Sequence, residues 1–197
     1  MDILSFGRLF VLGLAQILFV AVNESPTEGK EMGELPQDKV YKGGRMDRTY
    51  KSRLFLAACL TWYTFTNIYY YGEDPLTFSE WILFLIMIIG VSLRLYCYWL
   101  LGSLFTFKLG IRDNHKLCQD GPYKYLIHPS YTGQIIFLLS YFSLLSVNIF
   151  LLIFFIGYII YRLRTRMKEE EIMMKDEFAY RYEEYLDKRW RLIPYLY

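Results

Sequence analysis

QIIFLLSYFSLLSVNIFLLIFFIGYII, Gln134–Ile160, carries no charged side chain. As a single α-helix at 1.5 Å per residue it would run to roughly 40 Å, well beyond the ~30 Å of hydrocarbon in a bilayer. Its middle, SLLSVN, offers Ser143, Ser146 and Asn148, residues whose short polar side chains favour turns. The flanks decide between one helix and two. A single crossing would leave IHPSY (127–131) and RTRMKEEE (164–171) on opposite faces of a membrane. A helical hairpin over 134–161, turning near Ser146–Asn148, returns both to one face. The hairpin is the expectation.

Three further apolar blocks lie upstream: Ile3–Val22, Leu54–Tyr71 and Phe78–Leu101. Each is close to or above the ~20 residues a spanning helix needs. With 54% hydrophobic residues, 19% aromatic ones and a mean hydropathy of +0.19, the chain reads as an all-α integral membrane protein of about five transmembrane helices. The first block is long and no small-x-small cleavage site follows it, so it reads as a retained helix rather than a signal peptide.

Charge placement gives the sidedness. Lys30, Lys39, Lys42, Arg45, Arg48, Lys51 and Arg53 crowd the first connector, whereas YGEDPLT (71–77) is acidic. Lys108, Arg112, Lys116 and Lys124 follow the third block, and Arg162, Arg164, Arg166 and Lys168 follow the last. The positive-inside tendency then puts the 23–53 loop, the 102–133 segment and the C-terminus in the cytoplasm. Residues 1–101 are expected to form three transmembrane helices, and 102–197 to hold the polar stretches that can carry chemistry. The three cysteines form no disulfide framework and read as reduced. The connector itself suggests no chemistry.

Two polar stretches can carry chemistry. DNHKLCQDGPYKYLIHPSYTG (113–133) holds both histidines of the chain, His115 and His128, together with Tyr123, Tyr125 and Tyr131. Gly121-Pro122 marks a turn, and the residue before Pro129 is biased away from helix. An interfacial connector explains the tyrosines and lysines but not so many turn residues. The second stretch is RTRMKEEEIMMKDEFAYRYEEYLDKRWRLIP (164–194). Arg166 and Glu170 share a helix face, and the apolar spacing suggests an amphipathic cytoplasmic helix. Charged residues just past a transmembrane helix are also what a solvated cap looks like. Together the two stretches outline a cytoplasmic pocket between the 102–133 loop and the C-terminal helix. Aromatic faces and carboxylates favour a cationic ligand; an arginine favours a carboxylate or phosphate. No metal-ligand spacing, phosphate-binding glycine loop or serine triad is present, and nothing points to a nucleic acid or metal partner.

HKLCQDGPY (115–123) and IHPSYTG (127–133), with Arg166, Glu170, Glu171, Phe178, Tyr182, Tyr185, Arg191 and Pro194 at their spacings, resemble the isoprenylcysteine carboxyl methyltransferase family over about residues 101–197. The resemblance implies S-adenosylmethionine as methyl donor and the carboxylate of a prenylated cysteine, entering from lipid, as acceptor. It would place His115, Lys116, Leu117, Cys118, Tyr123, His128, Pro129, Ser130, Tyr131 and Glu170 at the cofactor. Arg166 would orient the acceptor carboxylate, with Glu171 and Arg191 also on the substrate side. The implied location is the endoplasmic reticulum in a eukaryote, or the inner membrane in a prokaryote. Ile127 stands where the pattern has arginine, and Cys118 where it has valine. A methyltransferase for a phospholipid amine, an NADPH-dependent sterol-type reductase and a non-catalytic scaffold are the competing expectations.

Overall fold

The computed structural model describes residues 10–19, 39–40, 61–66, 69, 75–104, 110–111, 116–145 and 149–195. Among the described residues six α-helical segments follow one another: α1 (Phe10–Phe19), α2 (61–66), α3 (Phe78–Leu101), α4 (Pro129–Leu144), α5 (Ile149–Phe178) and α6 (Tyr180–Asp187). The all-α expectation holds but for two short strands, β1 (Lys39–Val40) and β2 (Gly110–Ile111). They pair antiparallel, with Lys39 opposite Ile111. β1 lies in the first connector and β2 in the 102–133 segment, so two stretches expected on one side of the membrane meet.

α3 begins at a capping box. The Glu80 amide donates to Thr77 Oγ1 at 3.4 Å, and the Thr77 amide donates to Glu80 Oε2 at 2.7 Å. Its 24 residues reach about 36 Å. Trp81 and Trp99, both exposed, are about 27 Å apart along the axis, close to the hydrocarbon thickness and at the depths where tryptophan concentrates. Ile82, Leu85 and Ile89 are also exposed between them, a face that needs lipid. Among the described residues α3 is the one helix long and apolar enough to cross a membrane, and α1 is a shorter apolar helix. Much of Ile3–Val22 and Leu54–Tyr71 lies outside the described residues, as does most of the 23–53 connector.

The buried edge of α3 is Met87, Gly90, Val91, Arg94 and Cys97, recurring every three or four residues, and it packs on α4. The crossing point is Gly90 against Gly133. A Cβ built on Gly133 would lie 2.7 Å from the Gly90 carbonyl oxygen and 2.9 Å from the Arg94 amide nitrogen. Small residues let helix backbones touch where no water-driven force holds them together. Next to this contact α1 adds Val11, Leu12, Ala15 and Phe19, with the Phe19 ring stacked 5.1 Å from Tyr141. Gln16 supplies a polar tie. Its carbonyl accepts from Tyr141 Oη and from Thr64 Oγ1 at 3.2 Å, and its amide donates to Thr61 Oγ1 at 2.6 Å. Buried polar groups persist when they are paired in this way.

Two helices share the apolar run Gln134–Ile160. α4 ends at Leu144 and α5 starts at Ile149; the expected turn residues Ser146–Asn148 fall outside the described residues. The Phe142 and Phe155 rings stack across the two helices at 4.6 Å. The expected C-terminal amphipathic helix is not separate. α5 continues unbroken for 30 residues, about 45 Å, through the Arg/Glu stretch to Phe178, because no glycine or proline interrupts residues 158–178. Only after Ala179, at φ 45°, does the short α6 turn away.

The crossing predicts a sharp contrast between two glycines. Gly133→Ala should lower the thermal midpoint in detergent by several degrees, since overpacking costs about 1–3 kcal/mol. Gly157→Ala, where nothing lies within 4 Å of the added carbon, should leave it unchanged or slightly raised. Equal midpoints for the two variants would contradict the crossing.

Candidate functional site

The site starts where the chain turns at Gly121, whose φ of 54° suits glycine. A Cβ there would also press within 2.8 Å of Leu100 at the end of α3. Pro122 at the second position of a 3-10 turn, Gly121–Lys124, then aims the chain into 125–128. That segment is met by the tail of the protein. The Trp190 amide donates to the Tyr125 carbonyl at 3.1 Å, the Ile127 amide to Trp190 at 2.8 Å and the His128 amide to Arg191 at 3.0 Å. Thr132 Oγ1 adds a bond to the Leu192 carbonyl at 2.7 Å. A parallel bridge, Leu126 with Trp190, results, and it delivers Arg191 to the pocket.

His128 caps α4, and Pro129 takes the first helical position, where its missing N–H costs nothing. The His128 ring is buried between two carboxylates. Nε2 lies 3.3 Å from Glu171 Oε1, and Nδ1 lies 3.7 Å from Glu170 Oε2. Glu171 also accepts from Arg191 Nε at 3.2 Å and from an Arg191 terminal nitrogen at 3.4 Å. Glu170 Oε1 accepts from Tyr131 Oη at 2.5 Å and from Arg166 Nε at 2.6 Å. Two chains of contacts thus run side by side from the start of α4 onto α5: His128–Glu171–Arg191 and Tyr131–Glu170–Arg166. The His128 and Tyr131 rings are 5.5 Å apart. Burial would raise the Glu171 carboxyl, but the bonds from His128 and Arg191 prevail and hold it below its ordinary value. Burial likewise works against the Arg166 charge, and Glu170 overcomes it and pushes that guanidinium up.

Of the residues singled out from the sequence, His128, Tyr131, Arg166, Glu170, Glu171 and Arg191 come together here. Ser130 turns the other way, toward α3. Tyr123 is buried, and its carbonyl accepts from Tyr185 Oη at 3.2 Å and from Arg189 Nε at 2.9 Å. Leu117 packs with Ile127, Tyr182 and Tyr185 in a separate apolar cluster; Cys118 is half-buried and Lys116 exposed. His115 lies outside the described residues. Arg166 was expected to face an acceptor; in the structure its Nε edge is spent on Glu170. Ile127, the departure from the arginine pattern, fills the aromatic cluster of α6.

Two contributors escaped the sequence reading. Arg94 is buried inside the apolar α3. One of its terminal nitrogens donates to Gln134 Oε1 at 2.9 Å, to Ser130 Oγ at 3.2 Å and to the Ser130 carbonyl at 3.3 Å. A lone arginine in a spanning helix was the available signal. Arg189 lies with its guanidinium carbon 4.0 Å from the centre of the Tyr185 ring. No spacing announced it.

Residues 81–176 match the model of the isoprenylcysteine carboxyl methyltransferase (ICMT) family, a family of membrane-integral methyltransferases. The match runs from the first turns of α3 through Glu170 and Glu171 to the end of α5, and it stops short of Arg191. No curated protein matches the chain.

Glu171 supplies a pH test. A carboxyl held below its unfolded value stabilises the fold fully above that value, near 4.5, and loses the effect as pH falls through the folded one. The difference in thermal midpoint between the protein and Glu171→Gln should therefore be largest near neutrality and shrink below about pH 4.5. A difference that stays constant from neutrality down to pH 3 would mean that the carboxylate is not held by His128 and Arg191.

Proposed function

We propose, on the premise that residues 81–176 belong to the isoprenylcysteine carboxyl methyltransferase family, that this protein methylates the C-terminal carboxylate of a prenylated cysteine, with S-adenosylmethionine as donor. One observation carries the reading. The family segment folds so that the HPSY turn and the Arg/Glu face of α5 close on each other through Tyr131–Glu170–Arg166 and His128–Glu171. The donor, when bound, supplies a methyl group on a positively charged sulfur. The side chains suit such a group: the rings of His128 and Tyr131 offer faces to a cation, and Glu170 keeps acceptor capacity on Oε2 for a ribose or amino donor.

The chain's own residues do three things in this scheme. Glu170, locked by Tyr131 and Arg166, fixes the cofactor side. Arg166 and Arg191 place cationic nitrogens where an acceptor carboxylate can be oriented by paired, charge-assisted hydrogen bonds. Burial of the cluster keeps water from the reacting oxygen. No general base is required, because the acceptor carboxyl is already ionised near neutral pH. Positioning then supplies most of the rate. Ile127 departs from the pattern where apolar packing is at work, and Cys118 where the resemblance calls only for main-chain contact with the cofactor.

The same reading takes the chain to cross the membrane five times, with the pocket on the cytoplasmic side and the prenyl chain approaching between helices. The β1–β2 pairing supports it by joining the first connector to the 102–133 segment, and the stacked Phe142 and Phe155 rings support a last pair of crossings that returns to the same face.

Calorimetry on the detergent-purified protein should show micromolar binding of S-adenosylhomocysteine and none of NADPH, weakened about tenfold or more by Glu170→Gln, which deletes a charged acceptor. Incubation with labelled donor and a farnesylcysteine acid should then give label that mild alkali releases as methanol, the signature of an ester. Alkali-stable label on a phospholipid amine would replace the acceptor in this proposal. NADPH binding alone would remove the methyltransferase reading.

A further inference from the structure

Beside the paired chains lies a cavity of about 160 Å³ walled by Arg164, Met167, Lys168, Glu171 and Arg191. Such a space holds far more than one water, which needs only roughly 10–15 Å³. Three of its five walls are cationic and one is a carboxylate, which is itself engaged by His128 and Arg191. Arg164 and Lys168 are four residues apart on α5, like charges stacked on one face. Two like charges so placed favour an anion beside them.

The cavity's height on α5 says what kind of anion. Exposed apolar side chains run along the helix through Ile153, Phe154 and Ile160 to Tyr161. Arg164 follows Ile160 by about 6 Å and Lys168 by about 12 Å. The polar layer of a leaflet is roughly 5–8 Å deep. Side chains on a helix tilt toward its N-terminus, here toward the lipid, which brings both cations back into that layer. A soluble anion has no reason to be read at this depth; the phosphate of a lipid is held there by its own tails.

We propose that this cavity seats a phosphate group at the membrane edge, that of an anionic phospholipid headgroup, beside the methyl-transfer pocket. Glu171 and Arg191 are common walls, so the bound headgroup closes the lipid side of the pocket. Met167, buried at the base, gives the cavity an apolar floor.

The test is native mass spectrometry of the whole protein in detergent, with phosphatidylglycerol or phosphatidylcholine titrated in and no methyl donor or acceptor present. One phosphatidylglycerol should be retained in preference to phosphatidylcholine by roughly tenfold or more, the scale expected for two cations near an anionic lipid. Arg164→Gln with Lys168→Gln should abolish that preference. A control pair outside the cavity, Lys175→Gln with Lys188→Gln, should keep it. Lys168→Gln alone, at an exposed position that needs no repacking, carries the test if the double variant does not fold. Equal retention of the two lipids, or equal loss in the control pair, overturns the site. Displacement of the lipid by millimolar inorganic phosphate would keep the phosphate site and overturn its assignment to lipid. None of these outcomes depends on whether the protein binds S-adenosylhomocysteine.

Discussion

Two glycines decide how near α3 and α4 come, and most of the site follows from that distance. With Gly90 and Gly133 in backbone contact, Arg94 stands one turn further along α3 and meets the first turn of α4. A larger residue at either glycine would separate the helices and pull the guanidinium away from Ser130 and Gln134. An arginine in a spanning helix is tolerated where it faces the bundle and is well supplied with acceptors. Here it has the Ser130 carbonyl, the Ser130 hydroxyl and the Gln134 amide oxygen on one nitrogen. It therefore anchors the first turns of α4, through Ser130 and Gln134, to α3. Ser130, which family resemblance assigns to a cofactor, has its side chain committed to this anchor.

What the anchor steadies is a carboxylate with little freedom. Glu170 Oε1 takes a phenol and a guanidinium at once, which fixes the plane of the carboxyl and leaves Oε2 on the His128 side. Glu171 next to it is fixed by a different pair, His128 and Arg191. Adjacent carboxylates would repel if left alone. Each is instead paired with its own arginine, Arg166 for Glu170 and Arg191 for Glu171, in a half-buried setting where unpaired charge is costly. Preorganisation of this kind matters for a transfer between two bound partners, where orientation rather than acid–base chemistry sets the rate.

The sequence made the site legible through chemistry and hid it where only the backbone speaks. His128, Tyr131, Arg166 and Glu170 were readable because turn residues, aromatics and paired charges are rare beside apolar blocks. The length of Gln134–Ile160 foretold that two helices would share it. Arg94 was lost because counting apolar residues over a block averages away one charge. The docking of the tail was lost for another reason. Trp190, Arg191 and Leu192 are held along 125–132 by main-chain carbonyls and amides, which every residue possesses. The continuity of α5 is hidden because its surface changes from apolar to charged with no glycine or proline to mark a boundary. A change of solvent alters what a helix faces, not whether it continues.

Ile127 shows how far a motif can be bent without losing the geometry around it. Its amide still donates to Trp190, so the backbone path into His128 is kept. Its side chain is buried with Tyr182 and Tyr185, the aromatic residues that α6 presents. An arginine in that position would need acceptors among phenol rings. The cation that does reach this cluster comes from the tail: Arg189 stacks on Tyr185 and bonds to the Tyr123 carbonyl, the Tyr185 carbonyl and Gln119. A guanidinium is thus supplied to the aromatic wall from a different strand of the same bridge. In this chain the wall is closed by Ile127 at the entry to the HPSY turn and by Arg189 from the tail.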